Sequence, residues 1–146
     1  MATKSSASVE TPRSTLGRQL VEQLRRGERP MELDLRGCDL RGTSFDGLDL
    51  SRAKFGDADL RRCSFRGATL RGAVFFGADL QEACFDGADL EGADLDYANV
   101  VDVTFQGARL RHAVLPGRAG GRAQIEESVR TGARVRLAAR RLEDEG

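Results

Sequence analysis

Few residues in this chain have types that could do chemistry: a single histidine, His112, three cysteines, Cys38, Cys63 and Cys84, and a run of carboxylates in the second half. Covalent or acid–base catalysis needs a nucleophile and a base within hydrogen-bond reach of each other. No cysteine or serine pattern near His112 would build such a pair, so a solvated histidine and no enzyme activity are expected. The cysteines follow neither a CxxC spacing nor any other metal-ligand spacing, so neither a metal nor a cofactor is expected. An odd number of cysteines, behind a Ser/Ala/Thr-rich start from Met1 to Glu10 with no apolar leader, predicts reduced thiols in the cytoplasm. No apolar run approaches the length of a membrane span.

The carboxylates are the stronger signal. Net charge is zero over 146 residues, yet Asp79, Glu82, Asp86, Asp89, Glu91, Asp94, Asp96 and Asp102 follow one another with no Lys or Arg between them. Just before them, Arg61, Arg62, Arg66 and Arg71 form a stretch with no acid. Charge is therefore segregated along the chain. A row of carboxylates can bind a protein partner, hold cations or imitate phosphates. The arginines lack interleaved aromatics, so direct nucleic-acid binding is not expected.

These side chains must be placed by a repeat. A large apolar residue recurs every five residues: Leu35, Leu40, Phe45, Leu50, Phe55, Leu60, Phe65, Leu70, Phe75, Leu80, Phe85, Leu90, Leu95, Val100, Phe105, Leu110 and Leu115. A period of five suits neither a helix at 3.6 nor a flat strand at 2, so each unit contains its own bend. Two positions before most centres stands Ala or Cys, which extended backbone turns to the same interior as the centre. Two positions after it stands Gly in many units, the residue that most readily takes positive φ at a tight corner.

Units such as ADLRR at Ala58, ADLQE at Ala78, ADLEG at Ala88 and ADLDY at Ala93 resemble the motif of the pentapeptide repeat family. The resemblance covers Leu33 to Gly117 and implies an all-β solenoid, a right-handed quadrilateral β-helix with four pentapeptides per coil. The sequence carries its own hint of four-fold closure. Every twentieth residue gives the columns Phe45, Phe65, Phe85, Phe105; Leu50, Leu70, Leu90, Leu110; and Leu40, Leu60, Leu80, Val100, with Leu35, Phe55, Phe75, Leu95 and Leu115 on a mixed fourth side. Seventeen units make about four coils. In the same register Asp39, Asp59, Asp79 and Asn99 form a column, where acceptance of backbone N–H groups at the corners is the expected role and cation binding the alternative.

Both ends of so short a solenoid need covers. Residues 1–10 read as a disordered tail, and residues 11–30 as an N-terminal capping helix from about Pro12 to Arg26, with Leu16, Leu20 and Leu24 facing the first coil. Residues 31–117 form the solenoid and 118–146 a glycine joint with a C-terminal helical segment. There Ile125 and Val129 share one face, and Val135, Ala138 and Leu142 another, with a break at Gly132. Ile125 and Val129 serve as candidate capping or dimer contacts, and a two-fold dimer through this segment is favoured over a monomer. Phe76 and Tyr97 are expected outside the core, with Val74 beside them, where a flank helix carrying Ile125 and Val129 is favoured to pack and a partner protein is the alternative.

Function is therefore expected to be a noncatalytic protein–protein interaction scaffold. Its contact surface is expected in the eight carboxylates, in Phe76 and Tyr97 or in the C-terminal helix. The alternative, implied by the resemblance alone, is a DNA mimic that binds DNA gyrase or topoisomerase IV and protects it from quinolones and other gyrase poisons.

Overall fold

The structure, a computed structural model, describes residues 12–117 and 120–137. The expected tail over 1–10 lies outside them, as do Ala138 and Leu142. Helix α1 spans Pro12–Arg25 and helix α2 spans Gly121–Thr131. Between them every bridge is parallel and joins residues twenty apart, from Asp34 with Lys54 through Asp94 with Val114. Each bridge is isolated, so one side of a coil contributes a single paired residue between two corners. The twenty-residue register read from the columns is thus the register of the backbone.

Two sets of hydrogen bonds build this ladder. The N–H of a centre residue donates to the carbonyl nineteen positions ahead, as Leu35 does to Lys54 at 2.7 Å. The N–H just before a centre donates twenty-one positions back, as Asp59 does to Cys38 at 2.9 Å. Corners close locally: Cys38 N–H donates to Leu35 O at 3.2 Å around Gly37, whose φ is 68°, the pattern of a type II turn. Non-glycine residues hold the same corner position at Arg52, Asp57, Arg62, Glu82, Tyr97, Asp102 and His112, all with positive φ. Left-handed backbone costs a residue with a Cβ about 1–2 kcal/mol, so interior packing holds these corners in place.

That packing is dry and columnar. Phe45, Phe65, Phe85 and Phe105 stack in parallel with centroids 4.8, 4.8 and 5.4 Å apart. Phe55 and Phe75 stack at 5.0 Å on the neighbouring side and meet the first column edge to face, at 5.6 Å between Phe75 and Phe85. All six rings are fully buried. The stacking distance matches the spacing of adjacent strands, so backbone pairing and ring stacking favour one coil spacing. Burial of each large side chain stabilises by about 1.5–3 kcal/mol.

Helix α1 lies over the first coil, rotated from the expected stripe. Ser14, Gly17, Val21 and Leu24 are buried and Leu20 is partly so, whereas Leu16 is 47% exposed. Gly17 accounts for the rotation. A Cβ there would lie 2.8 Å from Cys38 Sγ and 3.3 Å from Leu35, so the glycine lets the helix sit directly on the coil and turns Leu16 outward. The expected capping contact at Leu16 is therefore replaced by one at Gly17.

Polar groups complete both ends. At the first coil Asp39 N–H donates to Ser14 Oγ at 2.8 Å, Arg25 donates to Ser44 O at 2.9 Å, and Arg13 donates to the carbonyl of Arg36. At the last coil Phe105 N–H donates to Ser128 Oγ at 2.9 Å and Gly107 N–H to Val129 O at 2.9 Å. Asp102 N–H donates to Val135 O, while Val135 N–H returns to Val103 O. Ser14 and Ser128 are the buried polar residues of the described chain, supplying acceptors where the carbonyls of a preceding and a following coil would stand.

The break at Gly132 is a helix stop, with φ 80° and its N–H donating to Ser128 O at 2.7 Å. Residues 133–137 beyond it are not helical, and Val135 extends the ladder. Since the Phe105 N–H is buried, Ser128→Ala is expected to cost about 1–3 kcal/mol by chemical denaturation. Ser14→Ala, beneath a more exposed bond, should cost less than Ser128→Ala.

Candidate functional site

The stacked register decides what the carboxylates do. Down one column, each Asp or Asn placed one before a centre uses one side-chain oxygen on the N–H two residues later: Asp39 on Arg41 at 3.3 Å, Asp59 on Arg61 at 3.4 Å, Asp79 on Gln81 at 3.2 Å and Asn99 on Val101 at 3.2 Å. The column is a row of corner locks. Guanidinium groups interleave with it, Arg41 reaching Asp39 at 2.8 Å and Asp59 at 3.6 Å, and Arg61 reaching Asp59 at 2.7 Å and Asp79 at 3.7 Å. A groove of about 620 Å³ follows this column past Arg18 and Arg62, but Arg41, Arg61 and Arg62 are each in an ion pair. Among the described residues no group of three or more His, Cys, Asp and Glu is arranged to hold a metal ion.

The eight acids of the sequence signal do not form one exposed row. Arg62 pairs with Glu82 at 3.4 Å, and Arg71 with Asp89 at 2.6 Å and Glu91 at 3.9 Å. Arg136 holds Asp102 at 3.2 Å. The basic stretch lies against the acidic one, one coil earlier, and neutralises much of it. Offsets of 18 and 20 residues between Arg61 or Arg71 and their acids are the signal that would have revealed this from sequence. The column pairing Asp46 with Arg66 works differently: Asp46 accepts the Arg66 backbone N–H at 2.9 Å, and no ion pair joins the side chains.

What remains is a small surface. Asp86, Asp94 and Asp96 make no ion pair among the described residues; Asp86 accepts Gln106 N–H at 3.0 Å, Asp94 accepts Asp96 N–H at 2.9 Å and Asp96 accepts Tyr97 N–H at 3.1 Å. Phe76 is 41% exposed and meets Tyr97 with ring centroids 5.0 Å apart and planes tilted by 56°. Phe76 and Asp96 are twenty residues apart and so stand in one column. The structure therefore brings together Phe76, Tyr97, Asp94 and Asp96, and leaves Asp79, Glu82, Asp89, Glu91 and Asp102 in ion pairs.

The flank expected over Phe76 does not use the expected contacts. Helix α2 instead meets its own last coil through Ser128 and Val129, on the side of Phe105 and Gly107, with Ile125 fully buried. Val129 thus meets the last coil of its own chain through its carbonyl. His112 is exposed at a corner, with φ 61°. All three cysteines are free. Cys63 is buried, donates to Leu40 O at 3.0 Å, and burial pushes its thiol up to about 12.

Arginine hydrogen bonds hold several carboxylates below the usual range. Arg36 does so for Asp34, Arg41 for Asp39 and Arg61 for Asp59, in each case against an opposing effect of burial. At Asp89 burial is the largest influence, and the Arg71 bond and backbone N–H outweigh it to leave a net lowering.

The pentapeptide repeats family model matches this chain in eight copies, over residues 32–57, 53–92 and 73–111. No curated protein matches it. Among solved structures, a pentapeptide repeat protein from the thylakoid lumen of Arabidopsis thaliana is 44% identical over 56% of this chain and 57% of that one, with a TM-score of 0.54. A pentapeptide repeat protein from Nostoc PCC 7120 is 32% identical over 66% of this chain and 72% of that one, with a TM-score of 0.48. A plasmid-mediated fluoroquinolone resistance protein is 21% identical over 55% of this chain and 41% of that one, with a TM-score of 0.32. The chain thus spans little more than half of the Arabidopsis protein. Among the described residues no helix is long and apolar enough to cross a membrane.

Acid should destabilise the fold in a defined window. Lowered folded-state values for Asp34, Asp39 and Asp59 mean that their contribution is complete above the unfolded value of about 4 and lost as pH falls below it. Thermal scans are expected to give a flat Tm from pH 7 to about 5 and a steep drop below about 4. Arg61→Gln should leave stability at neutral pH nearly unchanged and shift the Asp59 carboxyl upward in an NMR titration.

Proposed function

Because the chain belongs to the pentapeptide repeat family, we propose that it is a noncatalytic protein-binding scaffold whose contact surface is the Phe76–Tyr97 ridge with Asp94 and Asp96. One observation carries the reading: the exposed aromatic ring and the unpaired carboxylates coincide on one side of a rigid solenoid. Elsewhere on the acidic stretch, Asp86 excepted, the carboxylates are matched by arginines within the chain, which weakens any partner's electrostatic hold on them. Buried aromatic anchors dominate interface energetics, and a ridge already fixed by the core loses little freedom on binding.

Gyrase protection is the other reading that the family brings. It draws its support from a row of carboxylates in place of phosphates, and here Asp79, Glu82, Asp89, Glu91 and Asp102 are matched by arginines. A short solenoid of about four coils, roughly 20 Å long at one strand spacing per coil, also offers little of the contour of bound DNA. Three free thiols suit a reducing compartment such as the cytoplasm. With Ile125 buried in its own chain, a dimer made through that residue would require exchange of α2.

Phe76→Ser is expected to leave thermal stability nearly unchanged, as an exposed substitution, while removing the proteins that co-purify with the native chain. Retention of all of them by the variant would refute the ridge as the contact surface. In a supercoiling assay with purified gyrase and a quinolone, stoichiometric excess of the chain is expected to give no protection; restored supercoiling would favour the gyrase reading.

A further inference from the structure

Helix α2 and the segment after it close the last coil around Phe105, but the next side of that coil is left open. One turn earlier, the side around Leu90 is paired: Leu90 N–H donates to Arg109 O at 2.8 Å and Gly92 N–H to Arg111 O at 2.9 Å, while Ala88 O accepts from Arg109 at 2.9 Å and Ala93 O from Val114 at 2.8 Å. Twenty residues on, the same four groups are the N–H of Leu110 and His112 and the carbonyls of Ala108 and Ala113. None of the four has a hydrogen-bond partner among the described residues. Side chains change in step, since Leu90 and Leu95 are fully buried, whereas Leu110 and Leu115 are only partly so and Val114 is 49% exposed.

The open edge is also basic. Arg109, Arg111 and His112 are exposed. The acids one turn below, Asp89 and Glu91, are held by Arg71 at 2.6 and 3.9 Å, and Arg109 and Arg111 form no ion pair among the described residues. The chain itself arrives beside this edge. A Cβ on Gly121 would lie 2.9 Å from Leu137 Cδ1 and 3.0 Å from Pro116 O, so Leu137 and the end of the last coil flank the same point. Residues 138–146 follow, and among them Leu142 is the one large apolar residue, with Glu143, Asp144 and Glu145 directly after it. Five residues from Leu137 to Leu142 span up to about 17 Å, and Leu115 is the neighbour of Pro116.

We propose that residues 138–146 run back along this edge and cover it, with Leu142 seated on Leu110 and Leu115 and with Glu143, Asp144 and Glu145 against Arg109 and Arg111. Backbone groups of the segment then pair with the N–H groups of Leu110 and His112. Tethering favours this occupant over a free one, because an attached segment competes at an effective concentration of about millimolar. Covering the edge removes the template on which a second copy or another strand would add. The inference goes beyond the scaffold reading and stands whether or not Phe76 meets a partner.

NMR of the full chain tests it. Nuclear Overhauser contacts are expected between the methyls of Leu142 and those of Leu110 or Leu115, and amide exchange at Leu110 and His112 should be slower than in an unstructured peptide by about tenfold or more. Leu142→Ser should return most of that protection, with Leu90 and Gly92 unchanged. Glu143→Gln, Asp144→Asn and Glu145→Gln together should speed exchange at Leu110 by about twofold to threefold. Absence of the methyl contacts, or protection that Leu142→Ser does not move, would overturn the inference. Protection lost on dilution as the mass halves would make a second copy the occupant, and protection seen only with a co-purified protein bound would make it a partner; either result overturns it as well. The methyl contacts need no variant, so they decide the matter even if Leu142→Ser fails to fold.

Discussion

Backbone hydrogen bonds between coils point along the solenoid axis, and every other feature is arranged around that direction. Between coils, backbone N–H groups donate one turn away at offsets of nineteen and twenty-one residues, while the corners close locally. The same directionality leaves rows of unmatched groups at the two ends, which would template addition of further strands. Helix α1 meets the first row with Ser14, Arg13 and Arg25, and helix α2 with its following segment meets the last with Ser128, Val129 and Val135. The helices therefore stabilise less by their own length than by terminating a ladder.

Charge obeys the same geometry. Because coils are one strand spacing apart, side chains twenty residues apart touch, and eighteen apart meet diagonally across a corner. Arg71 uses both relations, to Glu91 and Asp89. Segregation of charge along the chain thereby becomes neutralisation in space. Asp94 and Asp96, whose predecessors twenty residues back are Val74 and Phe76, stay uncompensated beside the rings, and Asp86 stays so although Arg66 precedes it.

The fold was legible because the five-residue beat and its twenty-residue columns are local, periodic and redundant; losing any one centre would leave the pattern intact. The α1 contact surface was less so. Leu16 belonged to an apolar stripe, but Gly17 determined how closely the helix could lie, and a missing side chain leaves no hydrophobic signal. Ser14 and Ser128 were invisible for a related reason, since a buried serine acting as a backbone acceptor looks like any helical serine. Of the site, Phe76 and Tyr97 could be read as outward by parity alone. The acids could not be sorted into matched and unmatched until arginines from the preceding coil were set beside them.

Each described end hydrogen-bonds to its own terminal coil, as Ser14 does with Asp39 and Ser128 with Phe105. Length and closure are therefore separable properties of this molecule. Twenty residues inserted at a corner would add one turn, carry the cap past the same faces in the same orientation, and present it with the same backbone groups. An insertion of five or ten would rotate the cap by one or two sides, leaving Ser128 opposite a different face. The full turn is thus the smallest change in size that this architecture tolerates without rebuilding an end, a graduated ruler whose markings are set by the caps.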